Sequence, residues 1–440
     1  LWANEEWSET GATWANTILL ARNINKLYIR DLITKHSIWC PIDGIYGPAT
    51  GKQATAEPIM YGEVGAMQAD TPWSGHYTVW PAIWAVAHTT QFTEPGWKYV
   101  NGGCGRPSAS LWDGSYVTLK HPTTGDYSII IVTGAAASYT FNLSGGLSTG
   151  SVHVWSTNAS EAFVRGPDIT PAGASFTIEC AANSIYSLTT TTGQSKGSRT
   201  IPPSGAFPFP YYDSYEGYSA GQTPKYHSDQ KGTFEVFADA SGKHLMQILP
   251  AEGILWHTLD KPVTAFGDMA WTNYDFRARV FVDAGNVEMC ARLGEVSKKR
   301  GYRFILSKNG GWQLMADTSQ LRAGTASGFN GSAWHAVKIS VSGTTIAVSL
   351  DGAQLVSLTD AFRGAGMTAF ASSYDANMFD DLIVEPVGAN GTIPTLLLDR
   401  NLRTRESGRT SPFWDGGLLF LPNGSAGPRI LKPDGKAVEP

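Results

Sequence analysis

Short apolar runs of two-residue period, punctuated by glycine turns, constrain this chain more than any other feature. Asn309-Gly310 separates the run 302–307 from 312–316, and Asp351-Gly352 follows a run in which Ile346, Val348 and Leu350 share one face. Both dipeptides tolerate positive φ, so each predicts a β-hairpin. Val337, Ile339 and Val341 repeat the alternation, and residues 211–386 are expected to form a jelly-roll sandwich. Shorter runs at 115–119, 127–132, 152–155, 175–179 and 185–189 predict a β-sandwich over 96–195. A linker over 196–210, with Pro202, Pro203, Pro208 and Pro210, separates the two.

The first 95 residues read differently. Trp14, Ile18, Ala21, Tyr28 and Leu32 fall at helical spacing after an N-cap expected at Thr10, between apolar runs at 1–4 and 37–39. Strand, helix, strand is an α/β signature. A Gly/Pro-rich excursion over 41–65 and a segment with Trp73, Trp80 and Trp84 end at Pro95-Gly96. The stretch 387–440, rich in Gly, Pro and Arg, is assigned to no core. The fold class expected is multidomain, α/β followed by all-β.

Charged residues make up 16% of the chain and the net charge is -5, which removes the basic footprint of a nucleic-acid or acidic-membrane binder. No run of about 20 apolar residues offers a transmembrane segment. Cys40, Cys104, Cys180 and Cys290 are widely spaced and match no zinc or disulfide pattern. Asn142, Asn158, Asn330, Asn390 and Asn423 each begin an Asn-x-Ser/Thr sequon, which suits a lysosomal or secreted protein. Residues 217–221 match the Gly-x-Ser-x-Gly elbow, but Gln222-Thr223-Pro224 starts no helix, so a polar loop is expected there.

Leu1-Trp2-Ala3-Asn4-Glu5-Glu6 carries more chemistry. In a strand over 1–5, Leu1, Ala3 and Glu5 share one face, and Glu5 stands where the strand ends. In a (β/α)₈ barrel that place is the active-site mouth. A carboxylate there, flanked by Trp2, Trp7 and Trp39, suits the nucleophile of a retaining glycosidase, because aromatic planes stack on sugar rings while the anion meets an oxocarbenium-like centre. The alternative is that Glu5 and Glu6 solvate or cap the following helix. Retaining chemistry also needs a proton-donating carboxylic acid, and Glu9, Asp43, Glu57, Glu63, Asp70 and Glu94 are not distinguished for it by their contexts.

The opening hexapeptide, Thr71-Pro72-Trp73-Ser74-Gly75-His76-Tyr77 and the longer run from His88-Thr89-Thr90-Gln91-Phe92 to Trp97 together resemble the galactosylceramidase family of glycoside hydrolases. The likeness continues to Phe379-Asp380-Asp381, covering roughly 1–386. It implies the back part of a TIM barrel over 1–95, a β-sandwich over 96–195 and a concanavalin-like jelly-roll lectin domain over 211–386. It places the family's nucleophile on Glu5, an active-site serine on Ser8, sugar-pocket aromatics on Trp39 and Tyr61, and a lectin-domain tryptophan that reaches the active site on Trp256. It implies no catalytic cofactor but one structural calcium ion, with two ligand positions on Glu216 and Asp380.

The departures are equally specific. The family's general acid lies in an earlier Asn-Glu pair, and the pair here, Asn4-Glu5, already holds the nucleophile, so the resemblance implies a chain that begins near the sixth strand and is inactive alone. The family's galactose-contacting Arg and a neighbouring disulfide have no counterpart in 133–138 and at Thr13. The activity expected is a retaining β-galactosidase acting on galactosylceramide-like lipids, with a saposin-like lipid carrier as partner for an animal member. A non-catalytic carbohydrate-binding protein, or a glycosidase for another β-glycoside, is the alternative.

Overall fold

The computed structural model of the chain describes residues 2–6, 11–38, 41–44, 65–69, 71, 73–108, 110, 112–252, 261–295, 300–389, 391, 419–421 and 429–431. These fall into two compact units, one running to Ser204 and the other starting at Gly205. No helix among them is long and apolar enough to cross a membrane.

The first unit opens with β1 (Trp2–Glu6), α1 (Trp14–Asp31) and β2 (Lys35–Ile38). β1 and β2 pair in parallel, which requires a crossover such as α1 between them. The helix is capped at Thr13, three residues later than expected. Thr13 is extended (φ -107°, ψ 146°) and its hydroxyl accepts from the Asn16 amide, satisfying a donor that the first turn leaves open. Leu32 ends the helix in the left-handed region at φ 55°.

One face of α1, with Ile18, Ala21, Ile24 and Tyr28, is buried together with α2 (Ala82–Thr90) on a six-stranded antiparallel sheet. The sheet's order is Val164–Arg165, His153–Thr157, Ile185–Thr189, Tyr127–Thr133, Gly114–Lys120, Lys98–Tyr99. Tyr127–Thr133 is buried at every residue. Ile130 meets Tyr28 and Val132 meets Ile18, while Tyr127, Ile129 and Ile131 pack against Tyr139, Phe176 and Ile178 of the two-stranded sheet Ala137–Asn142 with Ser175–Cys180. A strand covered on both faces has no polar side to show, so it reads as a continuous apolar run. Each fully buried aliphatic side chain here contributes about 1.5–3 kcal/mol.

The second unit is a sandwich of two antiparallel sheets. One runs Ser228–Lys231, Val263–Phe266, Met367–Ser372, Asn286–Glu295, Arg300–Ser307, Gly311–Ala316, Ser319–Thr325. The other runs Phe234–Asp239, Gly242–Gln247, Met378–Glu385, Tyr274–Phe281, His335–Ser342, Thr345–Leu350, Ala353–Thr359, with Tyr211–Asp213 also on Met378–Glu385. Phe266 and Phe370 from the first sheet meet Phe276 and Phe379 from the second, with ring centroids 4.3 Å apart for Phe370–Phe379 and 5.7 Å for Phe266–Phe276. That aromatic layer is the core between the sheets.

Both predicted hairpins form, with different turns. Asp351 (φ 49°) and Gly352 (φ 81°) are both left-handed, the mirror-image turn that matches strand twist. Of Asn309-Gly310 only Gly310 (φ 83°) is left-handed, and the Asn309 side chain accepts from the Gly311 amide at 3.0 Å. In the stretch after 387, Leu419–Leu421 pairs antiparallel with Arg429–Leu431. The described chain is thus mostly β. Its parallel pairs are β1–β2 and Ile42–Gly44 with Met67–Ala69.

Candidate functional site

Because β1 and β2 are parallel neighbours, their C-terminal ends share one edge. Ala3 pairs with His36 and Glu6 with Ile38, so β1 advances three residues where β2 advances two. The extra residue makes a bulge at Asn4-Glu5, a device that redirects the chain and often adjoins active sites. Ala3 is buried. Glu5 still lies at the C-terminal end of β1, and Trp39 follows directly on the last residue of β2. Ser8, Trp39, Tyr61 and Trp256 are outside the described residues.

A residue that the sequence did not single out stands in the same pair of strands. His36, opposite Ala3, has both ring nitrogens buried without a hydrogen-bond partner among the described residues, and burial lowers its pKa. Burial thus disfavours the charged form of this imidazole. Its only sequence signal is its place in a short strand.

In the second unit Glu216 and Asp380 each contact the start of the strand Gly242–Gln247. Glu216, exposed, accepts from the Lys243 amide at 3.0 Å, and its Oε1 lies 2.6 Å from where a Cβ on Gly242 would sit. Asp380, 3% exposed, faces His244 Nδ1 at 3.1 Å, bonds Arg279 through the same oxygen, and takes the Asp381 amide on the other at 2.8 Å. Nearby Asp213 is raised to about 6, mainly by burial, with Asp380's charge adding to it. Asp380 is itself raised by burial and then by Asp381. The buried Tyr215 hydroxyl, which feels the charge of these carboxylates, has no hydrogen-bond partner among the described residues. Oxygen donors of like charge fit a hard cation, and the side-chain-free Gly242 fits a close approach by Glu216. Among the described residues no group of three or more His, Cys, Asp or Glu forms a ready metal cage.

Comparison with known proteins gives two family matches. The family described as "Glycosyl hydrolase family 59" matches residues 1–91, and "Galactocerebrosidase, C-terminal lectin domain" matches 229–387. The galactocerebrosidase of Salmo salar is 27% identical over 434 residues, covering 88% of this chain and 62% of the relative. That of Homo sapiens is 30% identical over 357 residues, covering 72% and 50%. The chain thus spans between half and about three fifths of the length of these relatives. A solved structure, a GH30 endoxylanase from Clostridium papyrosolvens, is similar at 19% identity and TM-score 0.32 over 43% of this chain and 41% of that one. Both matched descriptions are of one class, the glycoside hydrolases. The chain belongs to glycoside hydrolase family 59, the galactocerebrosidase family.

Proposed function

We propose that this chain supplies the nucleophile side of the active site of a retaining β-galactosidase, with Glu5 as the nucleophile and galactosyl lipids such as galactosylceramide as substrates. The observation that supports this most is the position of Glu5 in a bulge at the C-terminal end of β1, beside the parallel strand that leads to Trp39. In that reading 1–95 is the back part of a TIM barrel, whose active sites gather at the C-terminal ends of parallel strands. The Glu5 carboxylate attacks the anomeric carbon, the glycosidic oxygen leaves with a proton from a second carboxylic acid, and water then hydrolyses the glycosyl-enzyme ester. The family resemblance puts that acid outside the positions matched here. Ser8, Trp39, Tyr61 and Trp256 contact the sugar. Glu216 and Asp380 hold a structural calcium ion, which supplies positive charge among carboxylates that otherwise repel one another. A lysosomal or secreted location suits the sequons and the lipid substrate, with a saposin-like carrier in an animal source.

The test uses the natural polypeptide that carries this sequence, with chromogenic β-galactoside and β-glucoside substrates. Glu5→Gln is expected to lower kcat on the galactoside by roughly three orders of magnitude or more, because the covalent step loses its nucleophile. Equal activity of the two proteins removes Glu5 from the mechanism, and preference for the glucoside removes the galactoside assignment. Sugar binding without turnover in the parent protein favours the carbohydrate-binding alternative.

A further inference from the structure

Lys98, Lys120 and Tyr127 are directly paired neighbours on three adjacent strands of the six-stranded sheet. Directly paired side chains stand on the same face, about 5 Å apart at the backbone, so two ammonium groups lie side by side next to a phenol. Like charges placed opposite each other destabilise a sheet, and among the described residues neither lysine has an ion-pair partner. Tyr127 is fully buried, and its hydroxyl has no hydrogen-bond partner among the described residues. Burial pushes its pKa up to about 12, so the hydroxyl keeps its proton and stays a donor. A cationic pair and an unused buried donor in one row both weigh against the fold, and an anion at that row offsets both.

Lys120 and Tyr127 line a cavity of about 250 Å³, whose apolar wall includes Ile129, Phe141, Leu143 and Leu147 and whose lining holds no acidic side chain. Gly102 and Gly145 also line it, and a Cβ on either would meet nothing within 4 Å, so no side chain fills the space beside them. The rim is held in place: Thr118 Oγ1 donates to the Gly103 carbonyl at 2.6 Å, and the Leu143 amide donates to the Ala174 carbonyl at 2.7 Å. Drug-sized ligands occupy pockets of about 300–1,000 Å³, so a cavity just below that range admits roughly one six-membered ring.

We infer that this cavity is a binding site for a small carboxylate carried on a single ring. The carboxylate meets Lys120, with Lys98 adding its charge from the neighbouring strand, and the ring lies against Phe141 and Leu143. The Tyr127 hydroxyl donates to an oxygen of the ligand and so gains the partner it lacks. An acidic sugar and an aromatic acid share this chemistry, and the experiment separates them.

The experiment titrates the natural polypeptide with glucuronate, benzoate and the neutral benzamide, reading binding by saturation-transfer NMR and stability by Tm. One of the two acids is expected to bind with a Kd of about 1 mM or tighter, and benzamide at least about tenfold more weakly. Binding of glucuronate identifies an acidic sugar as the source, and binding of benzoate an aromatic acid. Lys120→Met is expected to weaken binding about tenfold or more without lowering Tm, because the like-charge contact with Lys98 goes with it. Tyr127→Phe is expected to weaken binding about fivefold, again without lowering Tm, since it removes a hydroxyl that the fold leaves unused. Gly102→Leu places a side chain in the open space and is expected to abolish binding. Failure of both acids to bind overturns the site, as does benzamide binding as tightly as the better acid. Affinity left unchanged by all three variants, or a lowered Tm with unchanged affinity in Lys120→Met and Tyr127→Phe, overturns it too.

Discussion

His88 shows how a residue in a family motif can serve the fold. It is fully buried on α2, with Nδ1 2.8 Å from Ser187 Oγ and Nε2 2.8 Å from Thr157 Oγ1. The Ser187 hydroxyl already donates to the His88 carbonyl, so Nδ1 carries the ring proton and Nε2 accepts from Thr157. Burial lowers its pKa to about 3, and the same cause lowers His227 to about 3 in the second unit. Below pH 6.5 the unfolded chain takes up protons that these folded imidazoles refuse, so each loses up to about 1.4 kcal/mol of stability per pH unit on acidification. Asp213 and Asp229 act oppositely: burial raises both to about 6, so the folded state binds their protons first and gains as pH falls from 6 toward 4. Both lie with His227 in the second unit, whereas His88 lies in the first. Acidification from pH 6.5 to 5 is therefore expected to destabilise the first unit by about 2 kcal/mol, whereas in the second the gains at the two aspartates offset the loss at His227. Hydrogen exchange in Tyr127–Thr133 and in Tyr274–Phe281 at the two pH values measures this, and equal losses would refute it. None of this was legible in the sequence, because burial of a histidine depends on strands 69 and 99 residues away.

At the level of elements, periodicity was a good guide where one face meets solvent and a poor one elsewhere. Thr345–Leu350 alternates and was read correctly, down to the turn at Asp351-Gly352. Tyr127–Thr133 does not alternate because α1 and α2 cover the side that a free-standing sandwich would expose. The bulge in β1 has no composition of its own, so the place of Glu5 near the strand's end was legible but the register shift was not. Glu216 and Asp380 were named from resemblance alone. That Glu216 reaches Gly242-Lys243 and Asp380 reaches His244 of the same strand depends on the antiparallel register of Gly242–Gln247 against Met378–Glu385. If calcium binds there, saturation at about a hundred times Kd adds roughly 2.7 kcal/mol to the second unit, a rise of several degrees in Tm over the EDTA-treated protein. Gly242→Ala, whose Cβ would sit 2.6 Å from Glu216 Oε1, is expected to abolish that increment. An identical Tm with calcium and with EDTA would rule the ion out.

Across the whole molecule, the order of strands in space departs sharply from their order in sequence. Met378–Glu385, the last strand of the sandwich in the chain, lies between Gly242–Gln247 and Tyr274–Phe281 and also pairs Tyr211–Asp213. It buries Phe379, Leu382 and Val384 completely. A chain ending at Asn377 is therefore expected to lose the second unit altogether, seen as loss of its unfolding transition and of protection in Tyr274–Phe281 while Tyr127–Thr133 stays protected. Protection in both strands would show that the last strand is dispensable. The same placement bears on synthesis. Strands made early keep open edges, with unpaired amides and carbonyls, until the last one arrives. At 5–20 residues per second, the stretch from Asp213 to Met378 takes roughly 10–30 s to emerge. For that interval the nascent sandwich is a template for pairing with any neighbouring chain, so its yield in a cell depends on translation speed and on holding chaperones as much as on the stability of the finished sheet.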